Sequence, residues 1–179
     1  MAGYHAAKIL QRKLVSPSVV VLDLEVATTL KSFQAGQWID FVVPPYDWIG
    51  GFSPASLPGD LPKVTIAVKR SKYPPAAWVH SEESKVLGRG VKVQVGGKTV
   101  LDTSNIDKQA VVFCAGGIGI SPLLSMYRQW NVLQQKQHSR KEDNRLPSAS
   151  FFYSVSREEE LVFLDELLET VSSPRIPND

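Results

Sequence analysis

The stretch Val111-Val112-Phe113-Cys114-Ala115-Gly116-Gly117-Ile118-Gly119-Ile120-Ser121-Pro122-Leu123-Leu124 carries three signals in a row. Val111 to Ala115 is a short apolar run, the pattern of a parallel strand covered on both faces. Gly116, Gly117 and Gly119 let the chain turn tightly and let another group approach the backbone. Ser121 is placed as an N-cap, with Pro122 at the first helical position, where its missing N–H costs nothing. Leu123, Tyr127, Trp130 and Leu133 give the helix a buried stripe. A strand passing through glycines into a helix start presents unpaired N–H groups and the positive end of the helix dipole, which together favour phosphate. Gly116, Gly117, Ile118, Gly119, Ile120, Ser121 and Pro122 are therefore candidates to hold the pyrophosphate of a dinucleotide. The plainer reading is a tight strand-to-helix connection with no ligand.

Downstream, Phe151-Phe152-Tyr153 reads as a second strand. Ser156 and Glu159 then have capping-box spacing for a helix carrying Leu161, Leu164, Leu168 and Val171, stopped by Pro174. The polar segment Lys136–Pro147 reads as an exposed loop. Strand, helix, strand, helix is the signature of a parallel α/β unit. Upstream the rhythm differs, with short β-rich segments at Ala7–Leu14, Val19–Val26, Trp38–Val43, Gly51–Ser56, Val64–Lys69 and Val91–Val95. They are separated by turns such as Ser16-Pro17, Pro44-Pro45, Pro74-Pro75 and Gly96-Gly97. That pattern predicts an antiparallel barrel or sandwich, interrupted by one short helix at Ala76–Ser84. The change of rhythm falls near Asp102–Asp107. Two domains are expected, a β-barrel over residues 1–104 and a partial α/β domain over 105–179.

Composition narrows the function. The chain has 179 residues, 43% of them hydrophobic, enough to bury a core. Its 20 basic and 18 acidic residues, net +2, form no basic stripe for a phosphate backbone, so nucleic acid is not an expected partner. Its apolar runs are far shorter than the roughly 18 residues of a membrane span. His5, His80 and His138 lack metal-ligand spacing, and the lone Cys114 excludes an intrachain disulfide and points to a reducing compartment, cytoplasmic on this ground alone. The basic start, with Lys8, Arg12 and Lys13 and no acid before Asp23, faintly suggests a transit peptide. The alternation of Ala7, Ile9 and Val15 instead reads as folded strand.

Pro122 stands where the usual GxGxxG fingerprint has its third glycine. Gly116 to Met126 instead resembles the nicotinamide-binding turn of ferredoxin-NADP reductase-like flavoproteins, which include cytochrome b5 reductases and flavohaemoglobin reductase modules. In that superfamily a six-stranded antiparallel flavin-binding barrel precedes the nicotinamide domain. Ala35-Gly36-Gln37-Trp38 is similar to the AGQ stretch before its third barrel strand. Gly51-Phe52-Ser53-Pro54-Ala55-Ser56 falls where its RxYSxxS flavin motif stands, and Tyr153 to Leu167 is similar to its second nicotinamide-domain unit. The resemblance implies an NAD(P)H-dependent oxidoreductase passing hydride between nicotinamide and a flavin, with NAD or NADP and FAD as cofactors and an unassigned electron acceptor. Phe52 would meet the flavin ring and Ser53 its N5. Gly50–Ser53 and Pro74–His80 resemble one subgroup of the superfamily, which implies a mitochondrial location.

Three departures bear on that expectation. The phosphate-pairing arginine of the flavin motif is Gly50 here. The glycine and hydroxyl residue that open the family's short phosphate-binding helix are replaced by Pro75-Ala76-Ala77-Trp78, with Lys69, Arg70 and Lys72 upstream as substitute cations. The sequence holds two strand-helix units of the nicotinamide domain, so a C-terminally truncated domain with an open strand edge is expected. Cys114 is expected to be a small buried core residue, and Arg157 to lie where a ribose or 2′-phosphate would sit. The alternative function is a non-catalytic nucleotide-binding or interaction module.

Overall fold

The computed structural model describes residues 3–104, 110–139 and 147–172. The first part contains strands β1 (His5–Ser16), β2 (Val19–Val26), β3 (Trp38–Val43), β4 (Trp48–Phe52), β5 (Lys63–Lys69) and β6 (Gly90–Gly96). They form one antiparallel six-stranded sheet in the order β4-β3-β6-β1-β2-β5. Just beyond β4, Pro54 bridges to Ile66 and the Ala55 N–H donates to the Thr65 carbonyl at 2.8 Å, which joins the two ends of the sheet into a barrel. Two irregularities in β1, between Ile9 and Gln11 and between Leu14 and Ser16, bend that long strand around the core.

Register decides which side chains fill the barrel. Ile39 pairs with Phe52 and Phe41 with Gly50, so all four share the inner face. Phe41 is fully buried and meets Phe52 edge-on at 5.9 Å and Trp78 at 6.2 Å. Trp78 belongs to α1 (Pro74–Val79), which closes the barrel end with Ala76 and Val79 in the core. The expected single helix at Ala76–Ser84 is two helices, α1 and α2 (Glu83–Val86). Ser81 separates them: its hydroxyl donates to the Trp78 carbonyl at 2.7 Å, taking an acceptor that a continuing helix would use. The fourth strand begins earlier than its expected start at Gly51 and ends at Phe52, before Pro54, which has no N–H for a continuing ladder.

In the second part, β7 (Val111–Gly116) and β8 (Ala149–Ser154) pair in parallel, joined through α3 (Ile120–Ser139) and followed by α4 (Leu164–Ser172). Phe113, Ala115, Phe151 and Tyr153 face α3, where Phe113 packs on Tyr127 and Phe151. The opposite face is open: Val112 is 59% and Phe152 63% exposed. Cys114 lies on that face and is exposed, which corrects the expectation of a buried core thiol and of a strand covered on both sides. The apolar run alone did not say whether a second layer was present.

Helix details are also corrected. α3 begins at Ile120, one residue before the expected cap, so Ser121 is its second residue rather than its N-cap. Leu124 takes the fully buried place expected of Leu123, and Leu123 and Leu133 lie half-buried beside Tyr127 and Trp130. Part of the expected Lys136–Pro147 loop is helical, since α3 runs to Ser139, and residues 140–146 lie outside the described residues. The Ser156–Glu159 capping box does not form. Glu158–Glu160 is a 3-10 turn, Phe163 adopts φ +61, and α4 starts only at Leu164 with Val162 and Leu167 buried and Leu168 exposed. Pro174 and residues 105–107 of the expected Asp102–Asp107 boundary also lie outside the described residues.

Candidate functional site

The glycine turn is held from below and open above. Gly116 ends β7 in extended conformation, Gly117 takes φ +52, and Gly117–Gly119 forms one 3-10 turn that runs directly into α3. Ile120 is fully buried and Ile118 packs against the same apolar cluster, so the two isoleucines anchor the turn. A Cβ built on Gly116, Gly117 or Gly119 meets nothing within 4 Å. These glycines therefore face free space. Ser121 is 3% exposed and its hydroxyl has no partner among the described residues, which leaves an unused polar atom at the helix start. Pro122 follows it in the first turn of α3, half-buried.

The two barrel candidates differ in environment. Phe52 points into the barrel rim, its ring packed against Phe41 and beside Gly50. Ser53 follows β4 and is half-buried, and it leads into Pro54, Ala55 and Ser56, all buried. α3 grips this segment: the buried Ser125 hydroxyl donates to the Ser56 carbonyl at 2.7 Å, and Arg128 Nη1 donates to the Ala55 carbonyl at 3.0 Å. Burial lowers the Arg128 pKa, partly offset by the Glu166, Asp60 and Glu169 carboxylates. The helix that starts at the glycine turn thus fixes the loop carrying Ser53. The turn itself lies against β5.

A second clamp comes from Glu160. Its Oε1 accepts from Ser18 Oγ at 2.9 Å, and Lys69 Nζ lies 2.9 Å from Oε1 and 3.1 Å from Oε2. Its backbone carbonyl accepts from the Tyr153 hydroxyl at 3.1 Å. Hydrogen bonds from Lys69 and Ser18 hold the Glu160 carboxyl below its usual pKa of 4.5. A depressed carboxylate pKa adds stability that is complete above 4.5 and lost as pH falls through the folded-state value. Glu160→Gln should therefore unfold at a lower temperature than wild type above pH 4.5, and the gap should close in acid. A gap in midpoint that stays constant down the acid limb would contradict the clamp.

Sequence reasoning missed Ser125, Arg128 and Glu160, since each acts across the seam between the two parts of the chain. The Ala35–Trp38 stretch has a visible structural role. Gly36 takes φ +100 and packs against Met126 of α3, while Gln37 donates to the Gly97 carbonyl at 3.0 Å and accepts from the Gln34 N–H at 2.7 Å. Arg157 is exposed and lies 3.6 Å from Glu159, which offsets its charge. Clefts of about 370 and 240 Å³ open beside Ala6–Lys8 and beside Val42–Pro44, and neither is lined by the glycine turn. Among the described residues no group of His, Cys, Asp and Glu is arranged to hold a metal, and no helix is long and apolar enough to cross a membrane.

No protein-family model matches the chain. It is 38% identical over 171 residues to oxidoreductase NAD-binding domain-containing protein 1 of Homo sapiens, covering 93% of this chain and 54% of that protein. The chain thus spans about half the length of the curated relatives it matches. Ferredoxin-NADP+ reductase from Plasmodium falciparum superposes with a TM-score of 0.72 at 17% identity, over 94% of this chain and 66% of that one. Phthalate dioxygenase reductase, described as modular for electron transfer from pyridine nucleotides to [2Fe-2S], superposes with a TM-score of 0.70 at 24% identity, over 92% and 48%. The chain has the ferredoxin-NADP reductase-like fold, barrel first and α/β unit second, and its sequence is similar to oxidoreductase NAD-binding domain-containing protein 1.

Proposed function

We propose that the chain binds a nicotinamide dinucleotide, NAD or NADP, by its pyrophosphate at Gly116–Pro122, as the nucleotide-holding part of an NAD(P)H-dependent oxidoreductase. The placement of three open glycines at the start of a long helix carries this proposal. Gly36, Gly50, Gly96 and Gly97 each sit where a Cβ would strike a neighbour within 3 Å, so internal packing accounts for them. Gly116, Gly117 and Gly119 have no such neighbour; Gly59, Gly88 and Gly90 are open too, but only the first three lead into the N-terminus of α3. What their missing side chains leave room for lies outside the protein, at a helix start suited to phosphate. The name carried by the relatives supports the same reading over the half they share. A bound dihydronicotinamide would supply the hydride, a transfer that needs no acid or base from the chain, so the chain's work would be to bind and orient.

Gly119→Val is the test, because it adds bulk in open space at a residue without positive φ. The variant should keep the wild-type melting temperature and lose at least about tenfold in NADH or NADPH affinity by calorimetric titration, or about 1.4 kcal/mol. Equal affinity in the folded variant would refute the assignment. The second reading, binding without turnover, is favoured by the missing arginine at Gly50. It predicts retained nucleotide binding with no NAD(P)H oxidation above the uncatalysed rate when free FMN is supplied.

A further inference from the structure

The flavin motif that Gly51–Ser56 resembles implies a flavin phosphate held between β4 and the N-terminus of α1, and in this chain that space is occupied by its own side chains. A Cβ on Gly50 would lie 2.7 Å from Phe52 Cε2 and 2.8 Å from Pro75 Cβ, so no side chain extends from position 50 toward a phosphate. Phe52 is held in place by its edge contact with Phe41, and Pro75 is buried. Pro74 and Pro75 occupy the first two positions of α1 and have no N–H, which removes two of the amides a helix start would offer an anion. The preceding Tyr73 gives no side-chain cap, and its hydroxyl donates to the Ile49 carbonyl instead.

Two of the nearby cations are committed elsewhere. Lys69 is committed to Glu160 at 2.9 Å. Arg12 donates to the Val79 and Ser81 carbonyls, at the far end of α1. Arg70 and Lys72 are exposed. Ring contacts are less affected, since Ser53 is half-buried with no hydrogen-bond partner among the described residues.

We propose that the barrel has no flavin-phosphate site, so that a flavin is taken, if at all, by its ring as an exchangeable ligand whose phosphate or adenylate tail adds nothing to affinity. This is independent of the pyrophosphate assignment at Gly119, which is tested with nicotinamide nucleotides alone. The experiment uses the 179-residue chain, shown to be folded by cooperative thermal unfolding, in equilibrium titrations with FAD, FMN and riboflavin followed by flavin fluorescence. The expected result is a preparation without bound yellow chromophore, with the three flavins either not bound or bound within about threefold of one another. Co-purified FAD or FMN, or a preference for either over riboflavin greater than about threefold, would overturn the proposal.

Discussion

Phe41→Ala is expected to cost about 3–5 kcal/mol of stability, the range for deleting a fully buried aromatic ring. Phe41 is 0% exposed and is the ring on which Phe52 and Trp78 both pack. Its removal opens a cavity where β3, β4 and α1 meet, and the barrel strands around it cannot collapse without breaking register. For a chain of this size each kcal/mol corresponds to about 2–4 °C, so the melting temperature should fall by roughly 6–20 °C. The same cavity frees the Phe52 ring and with it the contact on Gly50. A loss below about 1 kcal/mol would show that the barrel end is loosely packed.

The second large effect is expected at Gly36→Ala, at about 2–4 kcal/mol. Two costs add. The residue holds φ +100, which an L side chain rarely adopts, and its new methyl would meet Met126 Cε and lie 2.8 Å from the Thr99 carbonyl oxygen. Met126 can swing aside, whereas the Thr99 oxygen is backbone and cannot move without disturbing the chain beyond β6. Because Met126 belongs to α3, the variant should also weaken nucleotide binding in step with stability. Gly119→Val should instead weaken binding with stability unchanged. Chemical denaturation and nucleotide titration on both variants separate the two behaviours, and a Gly36→Ala protein as stable as wild type would sink the packing argument.

The barrel was legible because its signals are local. β2 and β3 have the bounds that alternation and flanking turns predict, and the glycine turn stands out by composition alone. Features that depend on a second layer were not legible. Val111 to Ala115 is apolar whether one face or both are covered, so the exposure of Val112 and Cys114 could not be read from it. Likewise Ser156 and Glu159 have capping-box spacing, yet the chain breaks at Phe163 before α4 begins. The missing arginine at Gly50 was visible in the sequence. The occupation of its space by Phe52 and Pro75 needed the register of β3 on β4 and the placement of α1. The contacts of Ser125, Arg128 and Glu160 join residues more than 60 positions apart, beyond any local pattern.

The apolar cluster under α3 draws on the barrel as well as on the α/β unit. Ala35, Ala55 and Ala67 are 4%, 0% and 5% exposed within it, beside Ile120, Leu124 and Met126. Three methyl groups therefore set how closely the helix rests on the barrel wall, and with it the gap between the glycine turn and Ser53. Enlarging any one of them to valine or leucine would act as a shim. It would press α3, and the glycine turn at its start, away from the barrel wall by a fraction of a side-chain diameter while leaving the residues of both candidate surfaces unchanged.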